Sequence, residues 1–243
     1  MTRRLAIVSA MAEELRGLQA QLREPHRIER AGREFWVGRL GAHEVVLVLS
    51  RIGKVAAATT VTLLLAEFEV DRVVFTGVAG GLGAAKVGDV VVADALLQHD
   101  MDASPIFPRY EVPLYGLSQF PADAGLSNAL RAAASAALAG LHLDHLADFG
   151  IAEPQVRCGL VLSGDRFVSS ADESRALQQA FPQALAVEME GAAVAQVCHD
   201  FGVPFAVLRT VSDRADDSAH VDFQRFIVDV ASRYTAAIIP VIP

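Results

Sequence analysis

Four acidic residues stand where a carboxylate is costly unless it is hydrogen-bonded or does chemistry. Glu188 and Glu190 flank Met189 in AVEMEGAA (186–193), one of the most apolar parts of the chain. Asp213 closes the strand-like VPFAVLRTVSD and opens the acidic cluster SDRADD. Glu14 follows the strand-like LAIVSA. Taken singly, each acid suits the start of a helix, where the macrodipole favours negative charge. As a set they arrive at the carboxyl ends of strands, which is where an open α/β sheet gathers groups around a ligand crevice. Such acids can divide general-base, general-acid and sugar-binding work among them.

The glycine-rich FTGVAGGLGAAKVGD adds to this set. It fails the P-loop pattern, because Ala85 precedes Lys86 and Val87 follows it where GK[ST] is required. A dinucleotide fingerprint fits poorly, since a strand rather than a helix follows. The remaining reading is a turn after a strand, in which Gly77, Gly80 and Gly81 let a ligand approach the backbone. His99-Asp100-Met101-Asp102 and His142-Leu143-Asp144-His145 match neither HExxH nor a thiolate site, so no metal is expected. The serine of SGDRF lacks the Gly-x-Ser-x-Gly frame of a nucleophile elbow.

The elements that must position these groups alternate along the chain. Strands are expected at 5–10, 34–40, 45–49, 70–76, 87–96, 156–165, 186–188 and 203–213. Helices are expected at 12–22, 54–68, 126–141, 170–181, 190–201 and 220–239, with Gly202 as a stop and Ser170 or Asp172 as a cap. Four prolines (Pro105, Pro108, Pro113 and Pro121) mark 100–122 as a long irregular segment. Alternating strands and helices, without repeat or linker, predict one α/β domain over residues 1–243, a mixed sheet flanked by helices.

Bulk properties narrow the partners. A hydrophobic content of 52% supplies a sizeable core, and no apolar run is long enough to suggest a membrane span. A net charge of −8 with no Lys/Arg-rich run argues against a nucleic-acid surface. Two cysteines, Cys158 and Cys198, make no disulfide framework, and a reduced cytoplasmic setting is expected. Arg3-Arg4 before LAIVSA has the look of an export signal, but the apolar run stops at Glu13-Glu14 and fits a first strand better.

With these residues in view, the sequence resembles the 5′-methylthioadenosine/S-adenosylhomocysteine nucleosidases of the nucleoside phosphorylase superfamily. The resemblance runs end to end through SAMAEE (9–14), RIGKVAAA (51–58), TGVAGGL (76–82), VGDVVVAD (87–94), LSGDRFV (162–168), AVEMEGAA and VLRTVSDRAD (207–216). It implies a three-layer α/β/α fold and cleavage of the N-glycosidic bond of adenine nucleosides, within methionine salvage. Glu14 would deprotonate the attacking water, and Asp213 would protonate N7 of the adenine. Glu190 would hold the ribose 2′-hydroxyl, with Met189 against the sugar. Phe167 would stack on the purine, and the Val168 backbone would read its edge. Ser212 and Arg209 would support Asp213 and the neighbouring carboxylates, while Ala79 and Gly80 would line the ligand. Phe107, Tyr110 and Pro113 lie in the loop that, in relatives, helps cover the alkylthio tail across a dimer interface. A homodimer without cofactor is therefore implied, and apolar VTLLLAEF would suit an interface helix.

Two features bear on whether water or phosphate is the nucleophile. Val78 stands where many relatives have a serine, and nothing cationic stands just before the glycines, at 73–76. Glu14 would put negative charge where a phosphorylase needs positive charge. Arg51 stands before Ile52-Gly53, where relatives usually have a small residue. Hydrolysis is the better reading; a purine nucleoside phosphorylase and a futalosine-type hydrolase are the alternatives within the fold.

Overall fold

The computed structural model describes residues 4–140, 146–215 and 223–242. His142–His145, read above as a weak metal candidate, lies outside them. The strands are β1 (Arg4–Ser9), β2 (Arg23–Arg30), β3 (Arg33–Leu40), β4 (His43–Leu49), β5 (Val70–Gly81), β6 (Val90–Gln98), β7 (Gln119–Pro121), β8 (Val156–Ser163), β9 (Ala184–Glu188) and β10 (Phe205–Asp213). The helices are α1 (Ala12–Gln19), α2 (Lys54–Glu67), α3 (Ala124–Gly140), α4 (Ala171–Ala180), α5 (Gly191–Phe201), α6 (Phe223–Phe226) and α7 (Ser232–Ile238), the last two joined through a π-helical turn at Ile227–Ala231.

All ten strands belong to one mixed sheet in the order β10-β6-β8-β9-β5-β1-β4-β3-β2, with β7 beside β6. Because β10 also pairs with β5, the strands β5, β10, β6, β8 and β9 close into a ring, and β1, β4, β3 and β2 extend from it as an open wing. Helices cover both faces. One apolar core joins α2 and α5 to the sheet through Val61, Leu64, Val194 and Cys198. The other joins α1, α3 and α7 through Leu15, Leu18, Leu130, Tyr234 and Ile238. This is the expected three-layer α/β/α architecture.

Two departures from the sequence reading matter. The charged REPHRIER forms β2, an edge strand whose residues are nearly all exposed, so no apolar alternation announced it. The glycine run is strand rather than turn: β5 continues through Gly77, Gly80 and Gly81, pairing with β10 on one side and β9 on the other. Its glycines answer to crowding. A Cβ on Gly77 would lie 2.8 Å from Arg209 Nη1, and one on Gly80 would lie 2.8 Å from the Ala215 Cβ. Elsewhere the local signals hold: Ser170 caps α4 by accepting from the Glu173 amide, and Gly202 ends α5 at φ 64°.

No helix among the described residues is long and apolar enough to cross a membrane.

Candidate active site

The ends of β1, β5, β8, β9 and β10 meet around a cavity of about 160 Å³. Glu14, Ala79, Gly80, Phe167, Val168, Met189, Glu190, Arg209, Ser212 and Asp213 all line it. Of the residues named from sequence, Phe107 does not: it sits half-buried in the 100–118 loop of its own chain. In the same loop, Tyr110 packs edge-on against Phe181 at 4.8 Å.

Glu14 enters from the first turn of α1, just past the end of β1. Ser9, the last residue of that strand, donates its hydroxyl to Oε2, and the Met11 amide donates to the same oxygen at 3.3 Å. Oε1 makes no hydrogen bond of normal geometry, although the Val78 amide lies close enough to favour the charged form. A Cβ on Gly77 would stand 3.2 Å from Oε1, so the missing side chain leaves room for this carboxylate over β5. Burial pushes its pKa up, and the Ser9 hydroxyl and the Arg209 charge only partly offset that.

Asp213 ends β10 at a bulge opposite Gly80. The Ala215 amide donates to Oδ1 at 2.7 Å, and the Ser212 hydroxyl lies 2.7 Å from Oδ2 and 3.4 Å from the Ala79 carbonyl. Ser212 has one hydrogen for these two acceptors. It can donate to an ionised Asp213, or turn to the Ala79 carbonyl and accept from a protonated Asp213. The hydroxyl therefore serves both forms of the acid.

The two glutamates of AVEME do different work. Glu188 accepts from the Ser163 hydroxyl, from the Glu190 amide at 3.1 Å and from the Gly191 amide at 2.9 and 2.8 Å, which ties it to the start of α5. It also accepts from Arg209 Nη2 at 2.6 Å, deep in the protein. Arg209 in turn lies over the Phe75 ring at 4.0 Å. Glu190 has its backbone in that hydrogen-bonded frame, while its Oε1 accepts from the Gly53 amide at 2.8 Å. Burial, then the nearby Glu188 charge, pushes its carboxyl up to about 8, with Arg209 acting the other way. The upward shift favours the protonated acid, which can donate to a ligand hydroxyl.

On the opposite wall, Phe167 is 42% exposed and meets Phe223 edge-on at 6.2 Å, while Val168 beside it is buried. Ser9, Ser163 and Gly53 escaped the residue-level reading, although all three lie inside SAMAEE, LSGDRFV and RIGKVAAA. Phe223 had no such signal. Arg51 stays off the cavity lining and donates to the Gly32 carbonyl.

A family model of the phosphorylase superfamily matches residues 4–242. The chain belongs to that superfamily. Among solved members similar to it is the 5′-methylthioadenosine/S-adenosylhomocysteine nucleosidase of Neisseria meningitidis in complex with methylthio-immucillin-A. It is 32% identical over 98% of this chain and 99% of that one, with a TM-score of 0.84. The S-adenosylhomocysteine nucleosidase of Streptococcus pyogenes is 34% identical over 98% and 95%, with a TM-score of 0.83. The futalosine hydrolase of Helicobacter pylori strain 26695 is 32% identical over 98% and 96%, with a TM-score of 0.84. Members on both sides of that substrate divide thus share the whole architecture.

Among the described residues, no group of three or more His, Cys, Asp or Glu side chains is arranged to hold a metal ion. His99-Asp100, the other weak metal candidate, instead contributes Asp100 to an ion pair with Lys54.

Proposed function

We propose that the chain is an N-ribosyl hydrolase that cleaves 5′-methylthioadenosine and S-adenosylhomocysteine to adenine and the corresponding 5-thioribose. The observation that carries the reading is the pairing of Glu14 and Asp213 in one cavity, each acid anchored from the protein side, with Glu190 in the same lining. Asp213 gives its proton to N7 of the base as the C1′–N9 bond breaks. Glu14 takes a proton from the water that adds to C1′. The sugar passes through an oxocarbenium-like state, and the surrounding carboxylates stabilise its positive charge. Glu190 and Met189 hold the ribose, Phe167 stacks on the base, and the Val168 backbone reads its edge. Glu14 with a raised pKa is better matched to taking a proton near neutrality than an ordinary glutamate.

Water is favoured over phosphate by the distribution of charge. The buried Arg209 is committed to Glu188, and Arg166, on the rim, is paired with Glu173. An incoming dianion would meet Glu14 with no other buried guanidinium among the described residues to compensate it.

A homodimer and a cytoplasmic role in methionine salvage belong to the same reading. Exposed apolar residues Ile52, Val55, Ile106 and Leu114 suit a subunit contact that brings the Phe107 loop to a partner's site. Val61 and Leu64 of VTLLLAEF, by contrast, are consumed by the chain's own core. The deciding experiment is base release, adenine from methylthioadenosine and S-adenosylhomocysteine and hypoxanthine from inosine and futalosine, with and without phosphate. Adenine release independent of phosphate is expected. Phosphate-dependent turnover would identify a phosphorylase, and preference for futalosine would move the substrate to the other branch of the fold.

A further inference from the structure

Behind the cavity wall, three charged residues outside the lining close into a ring. Lys54 comes from the start of α2, Asp100 from the exit of β6 and Asp165 from the exit of β8. The Lys54 amide donates to Asp165 Oδ1 at 2.7 Å, and the Asp165 amide donates to Asp100 Oδ2 at 2.9 Å. Lys54 Nζ completes the circuit on Asp100 Oδ1 at 2.6 Å and also reaches Gln98 Oε1 at 3.1 Å. Gln98 passes the connection to Gln196 of α5 at 2.8 Å.

One residue ahead of Lys54, the Gly53 amide is the donor to Glu190. Consecutive amides at the start of α2 therefore hold two carboxylates from two sides of the cavity. A helix start leaves such amides unpaired within the helix, so they are free to donate to carboxyl oxygens from outside it. Gly53 sits at φ 96°, and a Cβ there would lie 3.2 Å from Asp165 Oδ1, so glycine is what lets the two acids come this close.

We propose that Lys54, Asp100 and Asp165 are positioning residues that lock the 164–168 segment and the Glu190 carboxylate to one helix end, so that the grip on the base and the grip on the sugar are set together. An exposed Lys–Asp pair contributes little by itself. This pair differs because Asp100 also holds a backbone amide of the segment that carries Phe167 and Val168, and the Lys54 side chain is only 16% exposed. Burial would raise the Asp100 pKa, but the hydrogen bonds from Lys54 and the Asp165 amide outweigh it and the net shift is downward. Removing Asp100 would thus free the segment and the lysine at once.

The test compares the full-length chain with Asp100→Ala, Asp100→Asn and Lys54→Met. Hydrogen exchange should quicken at both 53–54 and 164–168 in Asp100→Ala and Lys54→Met, while Asp100→Asn, which keeps one acceptor for the Asp165 amide but turns an amide nitrogen toward Lys54, should fall between Asp100→Ala and wild type. For the nucleoside that the chain cleaves, KM should rise about tenfold or more with a smaller change in kcat. Combining Asp100→Ala with Glu190→Gln should cost less than the product of the single effects. Exchange changes confined to 99–102, an unchanged KM, or strictly multiplicative effects would overturn the proposal. The kinetic arm rests on the nucleosidase reading. If the wild type cleaves no nucleoside, that reading fails and the exchange pattern alone decides the ring. Should Asp100→Ala not fold, Lys54→Met carries both measurements.

Discussion

Arg209 and Glu188 form a 2.6 Å ion pair with side chains only 1% and 3% exposed, and the Arg209 charge acts on both Glu14 and Glu190 in the cavity. Arg209→Met would leave the buried Glu188 side chain without its ion-pair partner. A loss of about 3–5 kcal/mol is expected, read from urea denaturation, because breaking one side of a buried pair strands the other. A variant as stable as wild type would mean that the pair is not what holds the frame.

Asp213→Asn keeps the shape of the side chain but cannot deliver a proton. Turnover should fall by roughly 10²–10⁴ while binding of the nucleoside persists. Adenine release by the purified variant is the measurement. Near wild-type rates would remove Asp213 from the acid role.

Glu14 must be ionised to accept a proton, and its pKa is raised by burial. The wild-type rate should therefore decline on the acid side from a pH above the ordinary carboxylate value. Glu14→Gln should lose roughly 10²–10⁴ in kcat and lack that limb in whatever activity remains. A pH–rate profile of both proteins checks this. The same acid limb in the variant would assign it to another group.

Glu190 gives a stability signature of opposite sense from an ordinary salt-bridged acid. Its folded pKa of about 8 lies above the unfolded value near 4.5, so the folded chain keeps a proton that the unfolded chain releases. The stabilisation from that proton is complete below the unfolded pKa and is lost as the pH climbs through about 8. Melting temperatures of the ligand-free wild type should thus fall across this window more steeply than those of Glu190→Gln. Parallel curves for the two proteins would contradict the shift.

The sequence made the acids and their strand ends legible because apolar runs, glycines and carboxylates leave local marks. Position placed Glu14, Glu188, Glu190 and Asp213 at strand ends, but only the resemblance to the nucleosidases separated Glu190, expected at the ribose, from the supporting carboxylate Glu188. Its assignment depends on Ser163 and Arg209, which are distant in the chain and meet it only after β8, β9 and β10 assemble. The glycines of β5 were read as a turn because a glycine-rich run usually is one. The approach of Arg209 on β10 and of Ala215 just beyond it explains why these strand positions are glycines. Phe223 left no trace, since its role depends on where the closing helical stretch docks beside Phe167.

The open wing of the sheet has a consequence for how the chain behaves in a crowded solution. The ring protects its own strands, so β2 is the long edge left exposed at the end of the strand order. That edge carries Pro25, which has no amide to offer, and is studded with Arg23, Glu24, Arg27, Glu29 and Arg30. Two of the arginines are already engaged, Arg27 with Glu34 and Arg30 with Glu67. An approaching strand would have to strip water from these charges and forgo a ladder hydrogen bond at the proline. The strand that was hardest to see in the sequence is thus the one that keeps copies of this protein from zipping together edge to edge.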